Sequence, residues 1–207
     1  MIPNDPSMLS DEVLSTTQPG RSMIRRLARL GLALVLGVFG YEIIARLGSA
    51  TPPLQEFKSE VGGFSVRVPT ALKEVTQTVE SPTAGPIDAH VFSGAYGSVN
   101  YGIVYSDMPT EVISKSDPEQ ILDGSRNGAV SNVNGKLVLE TKVHLEAYPG
   151  RQLVVDVRTS DGRDRTVMLR IFLVGSRLYQ VLVMAPKGVV SSDEMTTFLD
   201  SFKLIPK

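Results

Sequence analysis

Residues 165–185 read RTVMLRIFLV, then Gly175-Ser176, then RLYQVLVMA. Taken two at a time, Val167, Leu169, Ile171 and Leu173 share one face of the first run, and Met168, Phe172 and Val174 share the other. In the second run Tyr179, Val181 and Val183 oppose Leu178, Leu182 and Met184. Successive side chains of a strand point to opposite faces, so a strand wet on one side alternates apolar with polar residues. These two runs are apolar on both sides. They predict a pair of central strands, joined by a tight turn, in a sheet whose centre is covered on both faces.

Turn signals recur on either side of that pair. Residues 136–145, a turn at Ala147-Tyr148-Pro149-Gly150, residues 151–159 and a turn at Asp161-Gly162 lead into it, which makes a four-stranded meander with 165–174 and 177–185. Upstream, residues 87–96 and 99–105 predict a hairpin about Gly97-Ser98, and Phe64, Val66 and Val68 alternate with Ser65 and Arg67 up to Pro69. Two helices are available as cover. Ser116-Asp117-Pro118-Glu119 opens the first as a capping box, with Glu119 reaching back to Ser116 and with Ile121, Leu122, Ala129 and Val130 as the apolar stripe. Ser191-Ser192-Asp193-Glu194 opens the second, where Met195, Phe198, Leu199 and Phe202 recur at helical spacing. The expected fold class is α+β, a mainly antiparallel β-sheet sandwiched by helices.

Composition narrows the function classes. With 42% hydrophobic and 21% charged residues, the chain can build a core without disulfides or metals. Its net charge is −1, and the first 50 residues hold five arginines and four acids, which leaves 16 basic against 18 acidic residues beyond them. A nucleic-acid binder carries a clustered basic excess, so nucleic acid is not an expected partner. There is no cysteine, which excludes thiol redox chemistry, Cys-ligated zinc and iron–sulfur clusters.

The first fifty residues differ from the rest. Residues 30–45, LGLALVLGVFGYEIIA, hold Glu42 as their only charge and follow Arg21, Arg25, Arg26 and Arg29. Leu30, Leu32, Leu34, Val35, Leu36, Val38, Phe39, Ile43 and Ile44 supply the apolar surface of a membrane anchor. A helix over residues 27–48 rises roughly 33 Å at about 1.5 Å per residue, enough for a hydrocarbon core of about 30 Å if Arg29 and Arg46 snorkel outward. The four arginines on the N-terminal side set the orientation: N-terminus cytoplasmic, C-terminal domain periplasmic or otherwise non-cytoplasmic. Glu42, about a turn from Arg46, reads as an interfacial acid, with a polar contact to a partner helix as its functional alternative. The expected organisation is a disordered cytoplasmic tail at 1–23, a transmembrane helix at 24–48, a proline-containing linker at 49–58 and an exported domain at 59–207. A cleaved signal peptide is the competing reading, since Gly48 and Ala50 have the spacing of a cleavage site.

Several short stretches in this order of elements resemble the PsbP-like superfamily: Gly62-Gly63-Phe64-Ser65-Val66 leading to Pro69, Tyr148-Pro149-Gly150-Arg151, Arg170-Ile171-Phe172 with Gly175, Arg177-Leu178-Tyr179, and Phe198-Leu199-Asp200-Ser201-Phe202. The resemblance covers roughly residues 57–205. It implies an α/β/α sandwich about a central antiparallel sheet, in a family named for an extrinsic subunit of photosystem II that also includes bacterial exported lipoproteins. It further implies an accessory or binding role, because members commonly stabilise membrane assemblies or act in their biogenesis. The chain departs from the photosynthetic members in reading as an uncleaved anchor and in having no recognisable ion-binding histidine cluster. Both departures weigh against a direct role in oxygen evolution.

No constellation compels an enzymatic reading. The only histidines, His90 and His144, fall in separate predicted strands, and Ser65, Ser93 and Ser106 lack a nucleophile-elbow context. Asp161-Gly162-Arg163-Asp164-Arg165 reads as the charged tip of an exposed hairpin. Asp117, Glu119 and Asp123 are close enough in sequence to gather a cation, but Asp117 and Glu119 fit helix-start stabilisation. Arg170 interrupts an apolar strand face, either pairing across strands with an acid such as Asp156 or marking a polar patch for a ligand or partner. The expectation is a protein that is not an enzyme and needs no metal or cofactor. It would be an accessory subunit or assembly factor held to the lipid bilayer and binding a larger membrane protein complex. A tethered small-ligand carrier or sensor is the alternative, with a pocket between sheet and helices.

Overall fold

The computed structural model describes residues 53–81 and 85–206. In chain order its elements are β1 (Gln55–Ser59), β2 (Phe64–Val68), β3 (Lys73–Ser81), β4 (Gly85–Tyr96), β5 (Val99–Asp107), α1 (Thr110–Lys115), α2 (Pro118–Asn132), β6 (Lys136–Leu145), β7 (Tyr148–Arg158), β8 (Asp164–Val174), β9 (Arg177–Pro186), α3 (Ser192–Asp200) and β10 (Lys203–Leu204). Seven strands form the main sheet in the order β3-β4-β5-β9-β8-β7-β6, and every pairing is antiparallel.

The doubly apolar pair lies inside that sheet, as its composition requires. Gly175 takes the left-handed backbone (φ 60°) that the two-residue β8–β9 turn needs. Across β8 and β9 the register sets Val167 opposite Met184, Leu169 opposite Leu182 and Leu173 opposite Leu178. These residues form one buried cluster, with Met184 partly buried against it, closed over by Ile121, Leu122 and Ala129 of α2 and by Val112 and Ile113 of α1. Met168, Phe172, Tyr179, Val181 and Val183 belong to a second cluster on the opposite face.

That second face is covered differently from the sequence expectation. Helix α3 takes part of it, and a small sheet of order β1-β2-β10 takes the rest. Strand β2 buries Phe64, Val66 and Val68 while its intervening residues face away. A strand apolar on one side only suits a covering layer and not a sheet interior. Strand β1 pairs along its whole length with β2, so the last residues of the stretch read as a linker at 49–58 belong to the domain.

Several local readings change as well. Strand β7 begins at Tyr148, directly opposite Leu145, so the turn is Glu146-Ala147, with Glu146 at φ 55°. Gly150 therefore lies within the strand. A Cβ there would come within 2.5 Å of the Ile171 carbonyl oxygen and of the Phe172 ring. The connection about Asp161-Gly162 is a longer loop, with Gly162 N–H donating to the Thr159 carbonyl (2.8 Å) and Thr159 N–H to that of Arg163 (2.9 Å).

At α3 the expected capping box is present in both directions, Ser191 Oγ accepting from Glu194 N–H and Glu194 accepting from Ser191 N–H, each at 3.2 Å. At α2 the cap is one residue later than expected: Asp117 accepts from Glu119 N–H (2.9 Å), and Pro118 fills the first turn. That helix ends in a Schellman arrangement, with Gly135 N–H reaching the Val130 carbonyl, Asn134 N–H the Ser131 carbonyl, and Asn134 left-handed at φ 47°.

Candidate functional site

The anchor segment, with Glu42 and the orientation-setting arginines Arg21, Arg25, Arg26 and Arg29, lies outside the described residues. Among the described residues no helix is long and apolar enough to cross a membrane. The residues that can be placed fall into two charged assemblies and one exposed strand edge.

The first assembly locks α2 to the sheet. Glu119 and Asp123, one turn apart on α2, converge on Arg151 of β7: Arg151 Nη2 reaches Glu119 at 2.6 Å and Asp123 at 3.3 Å, and its Nε reaches Glu140 of β6 at 3.1 Å. Lys142 of β6, opposite Arg151 in register, adds a 2.7 Å contact to Glu119. Arg126 bridges Asp123 (3.4 Å) and Glu140 (2.9 Å). The Arg151 side chain is only 5% exposed, so it depends on these carboxylates for compensation. Its hydrogen bond, with help from Lys142, holds the Glu119 carboxyl down at about 2. Three acids are matched by three bases. The arrangement fixes a helix to the sheet. Glu119 thus turns toward Arg151 instead of back to Ser116. The sequence signal that could have shown this is acids at i and i+4 followed by Arg126, facing cross-strand basic residues.

The second assembly holds the small sheet. Arg177 of β9 grips Asp107 of β5 with Nε and Nη2 at 2.7 Å each, and its Nη1 donates to the carbonyls of Val61 (2.9 Å) and Gly62 (3.0 Å) in the β1–β2 turn. The guanidinium lies 4.4 Å from the centre of the Tyr105 ring. Tyr179 donates its phenol to the Gly62 carbonyl at 2.6 Å, and burial raises its pKa. His90 stacks on Tyr105 at 4.5 Å and meets Thr76 Oγ1 at 3.1 Å. This is a packed histidine at the edge of an aromatic stack. His144 is exposed on β6, and among the described residues no group of three potential ligands is placed to hold a metal.

Arg170, the interruption in β8, donates to Gln152 Oε1 (2.7 Å) and pairs with Asp200 at the end of α3 (2.6 Å). The expected partner Asp156 instead binds Lys187 at 2.5 Å and accepts from Thr166 at 3.3 Å. Asp161 and Arg163 do form an exposed tip, where Asp161 accepts from Thr159 and pairs with Arg163 at 2.8 Å. Ser106 is fully buried, and its hydroxyl has no partner among the described residues, hence no base to activate it.

Strand β6, expected as the first strand of the meander, ends the main sheet among the described residues. Among the described residues it pairs only with β7, and its register slips between Leu137 and Leu139. A bulge of this kind breaks the in–out alternation. Val138 and Leu139 consequently stand side by side at 56% and 52% exposure.

No protein-family model matches the chain, and no curated protein matches it in sequence. Solved structures do match. The chain is similar to the cyanobacterial PsbP (CyanoP) of Synechocystis sp. PCC 6803, with 13% identity, a TM-score of 0.51, and coverage of 77% of this chain and 97% of that one. A protein of unknown function from Pseudomonas aeruginosa matches at 11% identity, with 75% and 98% coverage and a TM-score of 0.42. A Bacteroides thetaiotaomicron protein matches at 15% identity over 76% of this chain and 50% of its own, also at 0.42. The fold is thus a PsbP-like antiparallel α+β fold.

Proposed function

We propose that this chain is a non-catalytic accessory subunit or assembly factor of a larger membrane protein complex. Residues 24–48 tether it to the bilayer, and the domain beyond them makes the contact. The observation that carries this reading is the β6 edge, the end strand of the main sheet among the described residues, which presents the exposed Val138-Leu139 pair. A strand edge can add a partner strand, and two adjacent exposed hydrophobic residues give such an addition a register. The PsbP-like fold supports the same reading, since the PsbP for which the fold is named is an extrinsic photosystem subunit. Tethering raises the effective concentration at the bilayer, so a weak contact suffices.

Cross-linking mass spectrometry on native membranes tests it. Lys136 and Lys142 flank the exposed pair on β6 and are expected to link to one integral membrane assembly. Replacing Leu139 by Lys is expected to remove those links while the purified chain melts within a few degrees of the parent. Recovery of the chain only as a monomer, without intermolecular links, would overturn the proposal.

A further inference from the structure

A cleft of about 320 Å³ opens between the end of β7, the start of β8, the residue after β9 and the connection from α2 to β6. Its charged lining is Lys136, Arg158, Arg165 and Lys187 with Asp156 and Asp164. Lys187 and Asp156 bind each other at 2.5 Å and cancel. Lys136, Arg158 and Arg165 then stand against Asp164 alone, an excess of two positive charges.

Arg165 is the telling member. It is only 6% exposed, its Nη1 donates to the Ser98 carbonyl at 3.0 Å, and no carboxylate among the described residues forms an ion pair with it. A guanidinium carries five donors and a permanent charge, and burial penalises it unless an anion answers. Arg151, the other deeply buried arginine, meets three carboxylates. Arg165 meets a backbone oxygen and a cleft. Val157 and Val167 of the aliphatic cluster flank it in and across the sheet, so the side chain is held in place.

We propose that this cleft binds a phosphate-class dianion. Arg165 lines the buried base of the site with guanidinium donors left beyond its bond to Ser98, and Arg158 and Lys136 close on the anion from the exposed rim. Asn134, left-handed after α2, lines the same rim. The site shares Lys136 with the β6 edge argued above, but Arg158 and Arg165 lie off that strand, so their variants test it independently.

The full chain in a non-ionic detergent is titrated with inorganic phosphate, against sodium chloride at matched ionic strength, and followed by thermal melting and calorimetry. Phosphate is expected to raise Tm saturably where chloride does not. Because Arg158 and Lys136 are exposed, Arg158→Ala and Lys136→Ala keep the fold and are expected to weaken binding roughly ten-fold and several-fold respectively. Arg165→Met is expected to abolish it. A second arm compares vesicles containing phosphatidic acid with phosphatidylcholine vesicles, which cancels any contribution of residues 24–48. If phosphate is inert and phosphatidic acid vesicles bind through the same three residues, the dianion is a lipid headgroup. Equal responses to phosphate and chloride with no vesicle preference, or binding unchanged in Arg158→Ala and Arg165→Met, would overturn the proposal.

Discussion

The two faces of the main sheet are built from different materials. Among the described residues the face under α1 and α2 is built from Ile, Leu, Val, Ala and Met, with no aromatic ring. The face under α3 and the small sheet gathers Phe64, Phe92, Tyr105, Phe172, Tyr179, Phe198 and Phe202. Phe64 is the centre of that second face: its ring meets Phe92 edge-on at 5.3 Å, Tyr179 edge-on at 6.3 Å and Phe202 stacked at 5.5 Å. Interlocked rings leave few alternative packings, whereas branched aliphatic side chains can repack. The aromatic face should therefore be the less forgiving one. Phe64→Ala is expected to cost about 4 kcal/mol and to free the small sheet, while Leu122→Ala on the aliphatic face costs about 3 kcal/mol and leaves the other layer intact. Urea midpoints give the two losses, and amide exchange in β1 and β2 shows which layer opens. Equal exchange in both variants would erase the contrast.

Each face also has its arginine, and the two differ in what happens when they are removed. Arg151 is nearly buried among Glu119, Asp123 and Glu140. Arg151→Met leaves three carboxylates crowded together and is expected to cost about 3 kcal/mol. Arg177 is more exposed and grips one carboxylate and two carbonyls, so Arg177→Met is expected to cost about 2 kcal/mol. Salt separates them further: the Arg151→Met loss should shrink in 0.5 M NaCl as the leftover charges are screened, and the Arg177→Met loss should hardly change.

The sequence made the sheet legible and left its covers and site largely hidden. The runs about Gly175-Ser176 show their double burial through composition alone, and the period-two pattern places β2, β4, β5 and β6. Strand β3, KEVTQTVES, is a mostly polar edge strand, so its periodicity carries no burial signal. Helix α1 is a single turn and a half with no buried residue. The partners of Arg151 and Arg177 come from elements distant in the chain, which propensity cannot anticipate. The charged stretch at 161–165 was readable only in part: Asp161 and Arg163 form the tip, while Arg165, two residues on, is buried in the strand. Nothing in local composition distinguishes those two arginines.

Buried polar groups also separate the two faces. Gln77, Ser106, Ser125 and Gln180 each hold a buried side-chain atom without a hydrogen-bond partner among the described residues. Ser106 and Gln180 lie in register with Leu178 and Val104 of the aliphatic cluster, and Ser125 is on the buried side of α2. An unanswered buried amide is a destabilising element that an apolar side chain of similar shape removes. Gln180→Met is thus expected to raise stability by about 1 kcal/mol, read from the urea midpoint. A fall instead would mean that the amide is hydrogen-bonded in solution, and the aliphatic face would then be no looser than the aromatic one.

The smallest expected effect is the one that pH selects. Glu119 titrates at about 2 in the fold because of Arg151 and Lys142, against roughly 4.3 in an unfolded chain. A depressed carboxyl stabilises the fold in full above its unfolded pKa, and that contribution drains away as pH falls from about 5 toward 2. Glu119 is 42% exposed, so solvent screening keeps the contribution under about 1 kcal/mol. The effect is local all the same, since it acts on the contact between α2 and β7. Amides of α2 should exchange progressively faster than those of α3 between pH 5 and pH 3, because the α2 contact loses the Glu119 carboxylate that the nearly buried Arg151 depends on. In Glu119→Gln the α2 amides should already exchange faster at pH 7, and much of the acid dependence should be gone. If α2 and α3 loosen together in the parent, the charged lock is not what distinguishes the aliphatic face, and packing alone must account for its difference.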